Sequence, residues 1–328
     1  MSKKKKLFGA LVAAAAVAMA VSGCATGGGD GGDGGGDDST YIAIISKGFQ
    51  HQFWQAVRLG AEQAAEEFGV EITFEGPETE AYVDQQIQML QTALDKQPDA
   101  IGFAALDSQA AGPLLQQAKD AGIPVVAFDS GVDSDIPVTT ASTDNKSAAA
   151  EAAKHLAEAI GHEGKVALVV HDQTSVTGVD RRDGFVEYME ENEPNIEIVD
   201  IQYGGGDQAK SADLAKAIIA ANPDLAGIYG SNEGSAIGVV QAVKELGIDP
   251  ASLAVVGFDS GKAQTDAIRD GLMVGAITQN PVGIGYETVK AAVEALKGET
   301  LPKTIDTGFY WYDATNIDDP EIAAVLYE

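Results

Sequence analysis

The chain has 328 residues, enough for two domains, and its 45 % hydrophobic content is ordinary for a packed protein. Its 50 acidic against 21 basic residues give a net charge of −29, which argues against nucleic acid and anionic membrane surfaces as partners. The same balance says little about a small neutral ligand.

The chain opens with MSKKKK, an apolar run from Leu7 to Met19 and then VSGC, the basic, apolar and small-residue regions of a secretory signal. The apolar run is too short to span a bilayer. Cys24, the only cysteine, follows Val21, Ser22 and Gly23 in a pattern that resembles the lipobox of bacterial lipoproteins. Residues 1–23 are therefore expected to be a lipoprotein signal peptide, with Cys24 as the lipid-carrying N-terminus; the alternative is an incidental cysteine near an ordinary cleavage site. Residues 24–40, rich in Gly and Asp, read as a solvated tether, because nothing in them can be buried and the apolar positions of a calcium-binding repeat are missing.

From Tyr41 onward, short β-rich runs (YIAII, VEITF, AIGFAAL, PVVAF) alternate with helical patterns over Gln52 to Phe68, Tyr82 to Leu94 and Ala110 to Ala121. Parallel strands can be joined only by long crossovers, so this alternation predicts α/β lobes with parallel sheets. The pattern then repeats. Residues 97–131 and 222–261 both run from Pro-Asp through a strand and a helix to Phe-Asp-Ser-Gly, and YIAIIS is paralleled by KVALVVHD. The competing explanation is the generic likeness of any two βαβ units. In open α/β sheets ligands bind beyond the carboxyl ends of the strands, so Asp129 and Asp259 are expected to face one cleft between two similar lobes.

At the end of the first strand, FQHQFW sets rings at the start of a helix whose apolar stripe runs from Phe53 through Val57, Ala61 and Ala64 to Phe68. Trp54 falls beside that stripe, so core packing explains Phe53 better than Trp54. Aromatic faces at a cleft suit a sugar, whose C–H patch lies flat on the ring while its hydroxyls point sideways. Those hydroxyls need carboxylates and amides, and the candidates at strand ends are Asp129, Asn232, Asp259 and Gln279; each also has a helix-capping alternative, Asn232 most of all. His51 reads as a hydroxyl contact and His171 as a weaker cleft candidate, since no His, Cys spacing supports a metal. Gly204 to Gly206 read as a tight turn with Asp207 as a helix cap, and Lys47 as a solvated loop lysine, the alternative being a cation at the cleft edge that favours an acidic or phosphorylated ligand. No GxSxG elbow, P-loop or GxGxxG fingerprint stands in the required context, so no cofactor is expected. Two carboxylates in a sugar cleft keep a glycosidase-like enzyme as an alternative.

Carried by QFWQAVRLGAEQAAEEFGV, IPVVAFDSG, TASTDN, RRDGF, NPDLAGIYGSNEGSAIG and VVGFDSG with AITQNP downstream, the chain from Tyr41 to its end resembles the ribose and galactose type of bacterial substrate-binding protein. LacI-type repressors share this fold, but here a secretion signal stands where their helix-turn-helix would be. The resemblance implies two doubly wound lobes joined by a three-strand hinge, residues 41–143 with 280–305 and residues 144–279 with 306–328. It implies stacking by Phe53 and Trp54, polar contact from His51, hydroxyl binding by Asp129, Asn232, Asp259 and Gln279, and Phe258 as an apolar wall. Ser130, also placed at the ligand, stands where the ribose type has Arg, and Val179 where a second Arg is expected, although Arg181 and Arg182 are close by; this puts ribose itself in doubt. The function implied is that of an extracytoplasmic, lipid-anchored receptor, not an enzyme, that binds a small sugar or polyol and delivers it to an ABC permease. A sensory receptor serving a membrane kinase or chemoreceptor is the alternative.

Overall fold

The computed structural model describes residues 39–327. The secretory signal, Cys24 and nearly all of the expected tether lie outside the described residues. In chain order the first part comprises β1 (Tyr41–Ile45), α1 (Gln52–Phe68), β2 (Glu71–Glu75), α2 (Val83–Asp95), β3 (Ala100–Phe103), α3 (Gly112–Asp120), β4 (Val125–Phe128) and β5 (Thr139–Ser142). Helix α4 (Asn145–Ala159) opens the second part, followed by β6 (Gly164–Val170), α5 (Val176–Asn192), β7 (Ile196–Tyr203), α6 (Gln208–Ala221), β8 (Leu225–Gly230), α7 (Glu233–Leu246), β9 (Ala254–Phe258), α8 (Lys262–Arg269) and β10 (Gly275–Gln279). The chain ends with α9 (Pro281–Leu296), β11 (Thr304–Asp306), β12 (Phe309–Asp313) and α10 (Pro320–Ala323).

These elements build two six-stranded sheets of the same order, β2-β1-β3-β4-β5-β11 and β7-β6-β8-β9-β10-β12. All pairings between the strands are parallel except β10 with β12. The repeated sequence units are therefore repeated structure: β3-α3-β4 and β8-α7-β9 hold equivalent places, and so do β1 and β6. Buried runs of Ile, Val and Ala fill the central strands, as expected where helices cover both faces. The chain passes from one sheet to the other after β5, after β10 and between β11 and β12.

Helix α9 packs on the first lobe against α1. Close approach of these helices depends on two glycines, since a methyl on Gly60 would run into the Val282 carbonyl and one on Gly285 into the Val57 carbonyl. That contact fixes the axis of α1, whose first turn faces the other lobe. Near the C-terminus, Ile317 and Ile322 join the core of the second lobe, whereas Tyr327 packs with Phe53 in the core of the first.

Candidate functional site

The twin FDSG turns repeat in backbone as well as in sequence. Asp129 has φ +54° and Asp259 φ +81°, a left-handed conformation that residues with a Cβ seldom adopt and that Asp tolerates better than most. The backbone N–H of each donates to the neighbouring strand, Asp129 to the Ala141 carbonyl at 2.9 Å and Asp259 to the Ile277 carbonyl at 2.6 Å. Backbone strain of this kind persists where the surroundings hold it, and it gathers at binding sites. Here both carboxylates line one cavity between the lobes, with an empty volume of about 270 Å³.

From the first lobe Lys47, His51, Phe53, Trp54, Glu80 and Asp129 line this cavity. The second lobe adds His171, Thr177, Arg181, Asn232 and Asp259, and Gln279 lines it from the end of β10. Two of the residues placed at the ligand from sequence are not part of this lining. Ser130 is buried with its hydroxyl unpartnered among the described residues, and Phe258 lies fully buried beneath the Arg181 guanidinium, 3.7 Å from its ring centre. Arg182 is engaged elsewhere, with Asp183 at 2.6 Å.

The aromatic corner belongs to the first turn of α1. Trp54 is 1 % exposed and packs edge-on against Phe53 (ring centres 4.9 Å apart) and Phe128 (6.3 Å). Its indole N–H donates to Glu80 Oε1 at 2.8 Å, which fixes the ring plane. Glu80 sits in the GPETEAY loop after β2, and nothing in its sequence context marks it except its place beyond a strand's carboxyl end.

The polar groups divide into those the protein itself satisfies and those it leaves open. The Asp259 carboxylate accepts from Gln279 Nε2 at 2.7 Å and from the Glu233 backbone N–H at 2.8 Å, and Gln279 Oε1 accepts from the Thr143 hydroxyl at 2.9 Å. Asn232 is both cap and wall: its Oδ1 accepts from the Ser235 backbone N–H at 2.9 Å, while its Nδ2 has no partner among the described residues. His171 is engaged at both ring nitrogens, by Ser231 Oγ at 2.7 Å and Thr177 Oγ1 at 3.2 Å. By contrast, His51 is 3 % exposed with neither ring nitrogen hydrogen-bonded, and the Asp129 carboxylate meets no protein donor among the described residues.

Lys47 overturns the expectation of a solvated lysine. It is 2 % exposed and reaches across the cleft, donating to Thr177 Oγ1 at 3.1 Å and Ser175 Oγ at 3.4 Å, with Asp172 3.8 Å away. The short loop after β1 carries it into the interior, where the hydroxyls at the start of α5 replace its water. Arg181 is held similarly, by Asn145 Oδ1 at 2.8 Å and the Ser231 carbonyl at 3.0 Å.

Electrostatics follow from this packing. Burial raises the Asp129 carboxyl to about 6, against the pull of Lys47 and Arg181. Burial also pushes Glu80 upward, but Lys47, His51 and the Trp54 N–H outweigh it and hold that carboxyl below its ordinary value. For His171 burial dominates and lowers it to about 3, leaving a neutral ring.

A second residue not anticipated from sequence is Glu233, on the opening turn of α7. Its carboxylate crosses to the first lobe and accepts from the Gln52 and Phe53 backbone N–H groups at 3.0 and 3.1 Å, so it caps α1. In return Gln52 Oε1 accepts from the Lys262 backbone N–H at 2.8 Å, at the start of α8. The Gly204 to Gly206 turn has left-handed Gly205 and Gly206, and Asp207 caps α6 through the Lys210 N–H at 2.7 Å, as the sequence predicts.

Residues 42–300 match the family described as periplasmic binding protein domain. A D-allose-binding periplasmic protein of Escherichia coli is 28 % identical over 269 residues, 79 % of this chain and 86 % of that protein. An ABC transporter solute binding protein from Agrobacterium vitis, solved with bound α-D-tagatopyranose, has a TM-score of 0.85 at 33 % identity and covers 88 % of this chain and 100 % of its own. Another from the same organism, with bound D-fucose, has a TM-score of 0.84 at 34 % identity and the same coverage.

Proposed function

The chain belongs to the periplasmic binding protein family, and from that premise we propose that it is an extracytoplasmic receptor that closes on one neutral monosaccharide or polyol and delivers it to an ABC permease. The observation that carries this reading is the way the cavity's polar groups are shared out. A fixed indole stands beside carboxylates with free lone pairs at Asp129 and Glu80, while the two cations, Lys47 and Arg181, are already engaged by the protein. Free acceptors call for hydroxyl donors, and an aromatic face calls for the C–H side of a ring. A sugar acid or phosphate would set its charge against Glu80 and Asp129 with no uncommitted cation to answer it.

His51, Phe53, Trp54, Asp129 and Asn232 are the proposed ligand contacts, with Asp259 and Gln279 as the frame that holds Glu233 and the chain crossing in place. Ligand touching both lobes binds the closed form better than the open one, which shifts the population towards closure. The permease then recognises the paired lobe surfaces. Hinge motion belongs to the three crossings, near Thr143, Gln279 and the segment from Ile305 to Phe309. Cleavage before Cys24 and lipidation of its thiol would hold the receptor at the outer face of the cell membrane, with residues 24–40 as a tether. No turnover is part of this reading, and the ligand leaves as it arrived.

Thermal-shift screening of residues 39–328 tests it, since a ligand bound only by the folded state raises the midpoint. D-allose, D-tagatose, D-fucose, D-ribose, matching sugar acids and sugar phosphates form the panel. A neutral sugar raises the midpoint of wild type, D129A loses that rise, and the acids and phosphates give none. A rise with phosphates alone would contradict the reading.

A further inference from the structure

One corner of the cavity is built from both lobes. A methyl placed on Gly206, in the turn before α6, would stand 2.9 Å from Glu80 Oε2, 3.3 Å from Asn232 Nδ2 and 3.4 Å from His51 Nε2. These three atoms therefore converge on one small region, and each lacks a hydrogen-bond partner among the described residues: Glu80 meets Trp54 through Oε1, and Asn232 caps α7 through Oδ1. His51 Nε2 stands 3.9 Å from Glu80 Oε1, too far for a direct bond and near enough for one hydroxyl oxygen to touch both. Leaving a buried polar atom such as His51 Nε2 unmet costs free energy, so a cluster of unpartnered groups around it marks where a ligand completes the bonding.

The chemistry of the three groups differs in a way that selects a hydroxyl. A carboxylate only accepts, an amide nitrogen only donates, and an imidazole does either according to its protons. A hydroxyl donates once and accepts besides, so it answers Glu80 and either Asn232 or His51 together. A carboxylate or phosphate oxygen on the ligand would satisfy the donors and repel Glu80. We infer that Glu80, with His51 and Asn232, determines which sugar is bound by reading one hydroxyl position at the end of the ring nearest these three side chains. This rests on the sugar-receptor reading above and narrows it. Glu80 has a second task, since its other oxygen pins the indole of Trp54, and any test must separate the two.

Calorimetric titration does so. D-ribose, D-allose, D-tagatose and D-fucose are titrated into wild type, and the monodeoxy analogues of the tightest of these are then titrated into wild type, E80Q and H51A. Wild type is expected to lose roughly 10–100-fold in affinity at one deoxy position, the range for a hydrogen bond to a charged group. In E80Q that preference falls to about threefold or less, while the affinity for that deoxy analogue stays within about threefold of wild type. If E80Q weakens the parent sugar and all its deoxy analogues alike, Glu80 serves only to hold Trp54 and the inference is overturned. Should E80Q fail to fold, H51A carries the same test, because its ring touches no indole hydrogen bond: a preference left intact there overturns the corner's role. Absence of binding by every sugar to wild type contradicts the receptor reading itself and removes this inference with it.

Discussion

Burial sets the Asp129 carboxyl at about 6, above its ordinary 3.8, so the folded chain holds that proton more tightly than the unfolded chain does. Its contribution to stability is therefore largest in acid and declines as pH rises between about 4 and about 6. D129N removes this slope, which chemical denaturation at pH 4, 5, 6 and 7 will read. Binding runs the other way. A hydroxyl that donates to Asp129 requires the ionised form, so wild-type affinity is expected to fall below about pH 6, by up to about tenfold per pH unit. D129N binds more weakly at pH 7, by roughly 10–100-fold, and shows no such decline. Asp259 behaves differently because Gln279 and the Glu233 N–H occupy its carboxylate: D259A is expected to lower the unfolding midpoint without ligand as well as to impair binding. The two aspartates were legible in sequence as a repeated FDSG, yet their unequal roles were not, since that depends on which side chains from other loops reach each one. Glu80 escaped notice, and Lys47 was read as solvated, for the same reason. They stand in loops without periodicity, and only tertiary packing takes their water away.

At the scale of elements, α1 is capped from outside its own lobe. Its N-cap residue, His51, makes no side-chain cap, and the carboxylate that takes the Gln52 and Phe53 N–H groups comes from Glu233. Such caps contribute roughly 0.5–2 kcal/mol, and this one exists only while the lobes meet. E233A is therefore expected to weaken sugar binding by roughly 3- to 30-fold through faster dissociation, with little change in the stability of the ligand-free chain. Stopped-flow release measured beside equilibrium unfolding checks this, and an unchanged dissociation rate would argue against the cross-lobe cap. The packing of α1 on α9 predicts that G60A is destabilised by about 1–3 kcal/mol, because a methyl has only the Val282 backbone to enter. Helix α1 itself was legible end to end from its apolar stripe and the alternation around it. Its cap was not, because a partner 180 residues away leaves no local signature.

Across the whole molecule, two sheets of one strand order place equivalent strand ends opposite one another, so a duplicated turn becomes two walls of a single cavity. On the proposed function, closure would follow from ligand and latch together: a sugar would span Asp129 and Asn232, while Lys47, Glu233 and Gln52 tie the rims. Small-angle scattering should show a smaller radius of gyration when sugar is added, and E233A should require more sugar to reach it. In cells, C24A is expected to shift the protein from the membrane fraction to the medium or periplasm, which fractionation reads. The measurement that bears most directly on the central claim is calorimetric titration of residues 39–328 with neutral monosaccharides, wild type beside D129A. One sugar bound per chain by wild type, and none by a folded D129A, is the predicted result. Equal binding by both proteins, or no neutral monosaccharide bound by either, would contradict the assignment of this cavity.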